Sequence, residues 1–242
     1  MHLTKLVLEK FKKVDKVELD LHPVNVLVGG NNSGKSSVLQ GIHFSVVAAI
    51  ASREAGKDTY TQESLLYCPA RNFEELRHGI AYQNQSQFGH LKLEATFPDD
   101  SAGQYTVRIY RGRNEGNVGC IRSGNAQIGA LVASSDSLFS IYVPGLAGVS
   151  QSEQFRTESV VRRGVASGDA NLYLRNVLWL IKQKDCLPAL TARMQTLFPK
   201  FHMELRFNPK SDVVIDAKIS ITGPIGRLCP VELVGTGVLQ AF

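Results

Sequence analysis

Apolar and polar residues alternate from His2 to Glu9, with Leu3, Leu6 and Leu8 among the apolar ones. They alternate again from Val14 to Leu21, where Val17, Leu19 and Leu21 share a face. A period near two predicts two half-buried strands. After Pro23 the run Val24-Asn25-Val26-Leu27-Val28 is short, apolar and β-branched, which predicts a buried strand. The period then lengthens. Val38, Leu39, Ile42, Val46, Val47 and Ile50 form an apolar helical face that ends near Ala55-Gly56. Residues 57–90 are polar and irregular. Clean alternation returns in 91–97 and 105–110, and with 117–121 and 138–143 it predicts an antiparallel sheet joined by Gly, Asp and Asn turns. At Ser167-Gly168-Asp169 the pattern switches. A helix is predicted over 171–182, with Leu174, Val177, Leu178 and Ile181 on one face, and a second from Pro188 to Phe198. Two further strands, 202–207 and 213–221, follow. There is no internal repeat and no sustained heptad pattern, so a long coiled coil is not expected.

Composition changes this picture little. The chain has 242 residues, 43% hydrophobic and 20% charged, which suits one large globular domain or two small ones. No apolar run approaches the roughly 20 residues that span a bilayer. The N-terminus, Met1-His2-Leu3-Thr4-Lys5, lacks the apolar stretch of a signal peptide, so the expected location is the cytoplasm, with no membrane partner. Cys68, Cys120, Cys186 and Cys229 are scattered without a C-x-x-C spacing and are expected to be reduced structural thiols. A net charge of +5 is compatible with nucleic acid without demonstrating it.

The chemistry is concentrated in residues 29–36, Gly-Gly-Asn-Asn-Ser-Gly-Lys-Ser. This is G-x-x-x-x-G-K-[ST], the phosphate-binding P-loop, in its required setting of strand, glycine loop and helix. Gly29 and Gly34 permit backbone conformations that a side chain would block. Gly29, Gly30, Asn31, Asn32, Ser33 and Gly34 would then turn successive amides inward around phosphates, and Lys35, Ser36 and Ser37 would open the helix whose N-terminus adds partial positive charge. Lys35 would reach the β- and γ-phosphates, and the Ser36 hydroxyl would bind Mg²⁺. The sequence thus implies binding of a nucleoside triphosphate, with ATP and Mg²⁺ the expected cofactors.

The far end reads Leu233-Val234-Gly235-Thr236-Gly237-Val238-Leu239-Gln240, a second glycine turn opening a helix. Alone it is a weak signal. Paired with the P-loop it resembles the signature motif of the ATP-binding-cassette heads of SMC, RecF and OLD-like ATPases, the group called AAA15. Lys10-Phe11-Lys12 resembles the Asn-Phe-Lys pattern of their N-terminal lobe. Ile141 to Gly148, Leu174 to Leu178 and Leu197 to Phe201 are similar to OLD-like ATPases as well. The resemblance spans nearly the whole chain. It implies an α/β fold: a P-loop ABC-type ATPase head with an antiparallel β subdomain and a helical insertion. In this division 1–56 hold the β lobe, P-loop and first helix, 57–166 a β-rich insertion, 167–200 a helical segment, and 201–242 strands and the signature-like motif.

In such heads ATP is sandwiched between two copies, so Gly235, Thr236 and Gly237 would contact the γ-phosphate held by a partner's P-loop. The resemblance implies an ATP-glued homodimer or higher oligomer, hydrolysis coupled to DNA-directed work in repair or anti-phage defence, and an associated nuclease domain or partner. One departure is plain. These heads carry a Walker B strand ending in Asp-Glu, and no Asp-Glu pair occurs here. The chain therefore reads as the N-terminal part of a larger protein, truncated before Walker B, and its catalytic residues are not assigned. The alternatives are a nucleotide-gated interaction module without turnover and, less favoured, an ABC transporter ATPase.

Other candidates are weaker. Lys12 or Lys13 could approach the phosphates, Lys12 being preferred. Gln85 and Gln87 are candidates for the glutamine that senses Mg²⁺, and His78 is a further one. Arg162, Arg163 and Arg175 could serve DNA or an interface, against a surface or capping role. Asp99-Asp100 reads as a solvated turn and Trp179 as core.

Overall fold

The computed structural model describes residues 1–144, 149–150 and 153–239, without the side chains of Thr236 and Gly237. They divide into two compact units, Met1–Tyr142 and Val143–Phe242.

The first unit is built on a six-stranded antiparallel sheet in the order β2-β1-β4-β5-β6-β3. β1 (His2–Phe11) and β2 (Val14–Asp20) form the leading hairpin, with Leu8 opposite Val17 and Phe11 opposite Val14. β4 (Gly89–Thr96), β5 (Ala102–Arg111) and β6 (Asn117–Gly124) make a meander, and the three-residue β3 (Thr59–Thr61) closes the far edge. In β4 every second residue is buried, so Leu91, Leu93 and Ala95 face the core. The other face carries cross-strand and same-strand ion pairs, among them Lys5–Glu18 at 2.9 Å and Lys92–Glu94 at 2.8 Å.

Helix α1 (Lys35–Ala55) packs on the apolar face. From His43 to Ser52 it is buried on all sides, as a helix with little amphipathic bias must be. Gly41 sets its distance from the sheet. A Cβ there would lie 2.6 Å from Leu8 Cδ2 and 2.8 Å from Phe11 Cδ1. Gly56, in the left-handed region at φ 64°, ends the helix. Among the described residues no helix is long and apolar enough to cross a membrane.

Three expectations are corrected. Residues 24–28 are not a strand: no ladder includes them, and Val24, Val26 and Val28 are 79%, 77% and 90% exposed. Among the described strands none runs beside them, and an apolar run becomes a buried strand only when neighbours supply hydrogen bonds and cover. Residues 138–143 form no strand either. Instead Phe139 and Tyr142 pack against the core and Ser140 Oγ lies 3.0 Å from His43 Nδ1. The stretch 57–166, read as a β-rich insertion, also contains helices α2 (Ala126–Val132), N-capped by Asn125, and α3 (Glu158–Ala166), neither of which was expected.

The second unit holds α3, α4 (Leu174–Gln183), α5 (Leu187–Leu197) and the antiparallel sheet β7-β8-β9 (His202–Arg206, Asp216–Ser220, Cys229–Pro230). Leu178, Met194, Phe201, Leu205, Ile219 and Val231 form its core. The short helix α6 (Thr236–Leu239) follows.

Candidate functional site

The hairpin β1–β2 and the start of α1 place the site. Two residues of the glycine loop, Asn32 at φ 67° and Gly34 at φ 97°, take left-handed conformations, the second as the N-cap of α1. Asparagine and glycine are the residues that tolerate this region at low cost. The turn is closed by Ser33 N–H donating to Gly30 O at 3.3 Å, and the helix begins with Val38 N–H on Gly34 O at 3.0 Å. The amides of Lys35, Ser36 and Ser37 belong to the first turn and have no intrahelical acceptor. Gly29 lies close to Ser33: a Cβ there would stand 2.8 Å from Ser33 Oγ, which would have to rotate away.

These residues line an open concavity of about 350 Å³ formed by Asn31–Ser37 and Lys13. The Lys35 ammonium donates to Gly29 O at 2.6 Å and Gly30 O at 2.7 Å. Phosphate oxygens would draw it away, because an anion adds full charge–charge attraction that the neutral carbonyls lack. The cradle therefore fits a polyphosphate: left-handed turns, first-turn amides and a lysine already bent back over the loop. Mg²⁺ commonly takes one or two protein oxygens, with substrate phosphates and water completing the shell, and the Ser36 hydroxyl fits that role.

The hairpin tip carries a correction to the lysine assignment. Lys12 is turned away from the loop, its Nζ donating to Gln40 Oε1 on α1 at 2.8 Å. Lys13 is the lysine that lines the concavity. The tip is twisted by left-handed Lys10 (φ 57°) and Lys12 (φ 48°), a strained pair held by the neighbouring segment. Lys12 N–H donates to Leu76 O at 2.6 Å, His78 N–H donates to Lys10 O at 3.2 Å, and His78 Nδ1 lies 2.7 Å from Lys12 O. His78 thus fastens the hairpin tip to residues 76–78. Gln40 in turn lies 3.5 Å from the Tyr142 hydroxyl. Sequence reasoning did not find Gln40 or Tyr142, since nothing local marks a helix glutamine as the partner of a lysine 28 residues earlier.

Residues 1–115 match the AAA ATPase domain family AAA_15. The match contains the hairpin, the loop, α1 and the β4–β5 pair, and it supports an AAA-type ATPase domain, with ATP binding, over those residues. A mixed α/β unit with a mostly antiparallel sheet fits such a domain. No curated protein matches the chain.

The remaining candidates scatter. Gln87 Oε1 accepts from Gln83 N–H at 2.7 Å within an exposed local turn, and Gln85 sits exposed beside it. Asp99 accepts from Ser101 N–H at 3.1 Å and Ser101 Oγ at 2.6 Å, which makes 97–101 a turn. Arg162 and Arg163 are exposed on α3, whereas Arg175 is buried. Gly235, exposed, belongs to the second unit and precedes α6. The side chains of Thr236 and Gly237, all of Gln240, and Gly145 to Gly148 of the middle resemblance lie outside the described residues.

Proposed function

We propose that the chain is the ATP-binding part of a head of the OLD-like, SMC–RecF type, which self-associates through ATP and couples hydrolysis to DNA-directed work in the cytoplasm. The observation that carries this reading is the loop 29–37 with Lys13 over it: a built polyphosphate cradle at the start of a buried helix. In the proposed cycle Lys35 moves from the Gly29 and Gly30 carbonyls to the β- and γ-phosphates, Ser36 holds Mg²⁺, and Lys13 adds a second cation. The Gly235–Gly237 turn of another copy closes over the γ-phosphate, so that ATP joins the copies and hydrolysis releases them.

The exposed valines support a further part of the reading. Residues 24–28 have the apolar, β-branched composition of a buried strand and the exposure of an unpaired one. We read them as a strand that pairs with neighbours outside these residues, one of them the Walker B strand with its Mg²⁺-binding and water-activating carboxylates. A nuclease domain or partner would be the effector, in anti-phage defence or DNA repair. DNA contacts would be mainly to phosphates, so affinity should fall steeply with salt. The lack of any Asp-Glu pair in this chain favours a second reading, a nucleotide-gated binding module without turnover.

The test is the mass of the intact chain by light scattering, with and without Mg-ATP, beside Lys35→Ala. ATP should raise the mass of the wild type alone. An unchanged mass, or the same rise in Lys35→Ala, would overturn the sandwich.

A further inference from the structure

The second unit contains a buried polar network that the function proposed above does not use. Arg175, 3% exposed, lies at the first turn of α4. Its guanidinium donates to Ser150 O at 2.5 Å and to Glu232 Oε2 at 2.5 Å. Glu153, 5% exposed, accepts from the backbone amides of Arg175 at 2.9 Å and Asn176 at 2.8 Å, and from the Asn176 side chain at 2.6 Å. Glu153 thus caps α4, where a carboxylate is favoured by the helix dipole and satisfies two first-turn amides. Asn176 Oδ1 accepts from Arg156 N–H at 2.7 Å and its amide donates to Gln154 O at 2.8 Å, which completes the capping loop.

Glu232 is not needed for that cap. It sits in the single helical turn Val231–Leu233, three residues before Gly235. Val231 is fully buried on one side of the glycine turn and Leu239 is buried on the other, while Leu233 and Gly235 between them are exposed. The segment is anchored by Val231 and Leu239, and Val234 and Val238 on either side of the glycine turn also pack against that core, so Leu233 and Gly235 are its exposed points. Beside this apolar packing, which also includes Leu178 of α4, the Arg175–Glu232 pair ties the segment to α4, with Glu153 4.0 Å from the same guanidinium. A buried ion pair contributes little net stability, because desolvation offsets attraction, but it fixes geometry.

We propose that Arg175 is a positioning residue: through Glu232 it fixes the angle at which the Gly235–Gly237 turn is presented to the γ-phosphate of an ATP held by a second copy of the chain. This rests on the function proposed above. Loss of the pair should leave each copy's own nucleotide affinity intact and weaken only ATP-dependent self-association.

Glu232→Ala in the full chain tests this without uncovering Glu153, and Glu232→Gln keeps an acceptor for the guanidinium. Three quantities are read on each: affinity for a fluorescent ATP analogue, ATP-dependent self-association, and amide hydrogen exchange over 234–239. In Glu232→Ala the affinity should be unchanged, self-association should weaken severalfold, because the turn then samples orientations that do not meet the phosphate, and exchange should accelerate. Glu232→Gln should recover part of both losses. A merely structural role would lower the melting temperature and leave self-association below that temperature untouched, and this result would overturn the proposal while the proposed function stood. If the wild type itself fails to associate with Mg-ATP, the proposed function and this inference fall together, whatever the exchange rates.

Discussion

Replacing Gly41 probes how the fold delivers the phosphate loop. Alanine in the middle of a helix gains about 1 kcal/mol over glycine. Here the added Cβ would meet Leu8 Cδ2 at 2.6 Å, Phe11 Cδ1 at 2.8 Å and Phe11 Cγ at 3.0 Å. Leu8 and Phe11 are both buried, and Phe11 packs on Phe44 with ring centroids 5.8 Å apart, so neither has solvent to move into. Overpacking of this kind costs about 1–3 kcal/mol. Gly41→Ala should therefore lie between neutral and about 2 kcal/mol destabilised. Gly41→Val adds two more carbons with less propensity gain, and should lose about 2–3 kcal/mol. For a unit of this size that is a fall in Tm of roughly 5–10 °C. The assay is urea and thermal unfolding of the intact chain followed by far-ultraviolet circular dichroism. ATP affinity is measured alongside, because displacing Phe11 also displaces Lys12 and Lys13. If Gly41→Val unfolds at the wild-type midpoint and binds ATP normally, α1 does not lie this close to β1, and the account of how the hairpin reaches the loop is wrong.

Other outcomes follow from the same coordinates. Gly34→Ala forces a Cβ into the left-handed region at φ 97°, which should cost about 1–2 kcal/mol in unfolding and reduce ATP affinity, both measurable on one preparation. Lys13→Ala should weaken ATP binding more than Lys12→Ala does, since Lys13 lines the concavity and Lys12 is held by Gln40; equal effects would reverse that assignment. Lys16 and Lys5 hold the Glu18 carboxyl down to about 2 from its usual 4.5. A depressed carboxylate stabilises above its unfolded value and loses that contribution as pH falls through the folded one. Glu18→Gln should therefore flatten the stability profile between about pH 4.5 and 2, an effect that shrinks in high salt because the pair is exposed. His90 is held neutral chiefly by burial, with Arg108 adding to it, although Glu9 lies 3.4 Å away and opposes. Its contribution should be present above the unfolded value near 6.5 and fall away on acidification, a trend absent from His90→Gln. Amides of residues 24–28 should exchange quickly in the chain as it stands, and slow exchange there would show a partner strand.

What the sequence disclosed depends on how local each cause is. The phosphate loop was legible because its conformation is set within eight residues, by Asn32 and Gly34, residue types that accept left-handed turns at low cost. Strands β1, β2 and β4–β6 were legible because one face of the sheet is covered and the other wet, so burial writes itself as alternation. Residues 24–28 carry the same composition as a buried strand, but their burial depends on neighbours that sequence cannot supply. Residues 138–143 look like a strand because Phe139 and Tyr142 are apolar for another reason, packing against the core without joining the sheet. Helix α3 was missed because only a few of its residues are buried, Val161, Gly164 and Ala166, behind a charged surface. The choice between Lys12 and Lys13 turned on contacts made across the fold, Lys12 with Gln40 on α1 and Lys13 with the loop concavity, at a hairpin tip of left-handed residues. Arg175 was read as a DNA or interface residue against a surface or capping role, and its burial was not foreseen, since nothing adjacent in sequence announces Glu153 or Glu232.

The most direct test of the central claim is equilibrium binding of Mg-ATP to the 242-residue chain, with Lys35→Ala as the control. Saturable binding that weakens at least roughly tenfold when the ammonium is removed, the loss expected of one charged hydrogen bond to phosphate, is the result the loop geometry requires. Equal affinity in both proteins, or no binding by either, would mean that residues 29–37 do not hold a triphosphate.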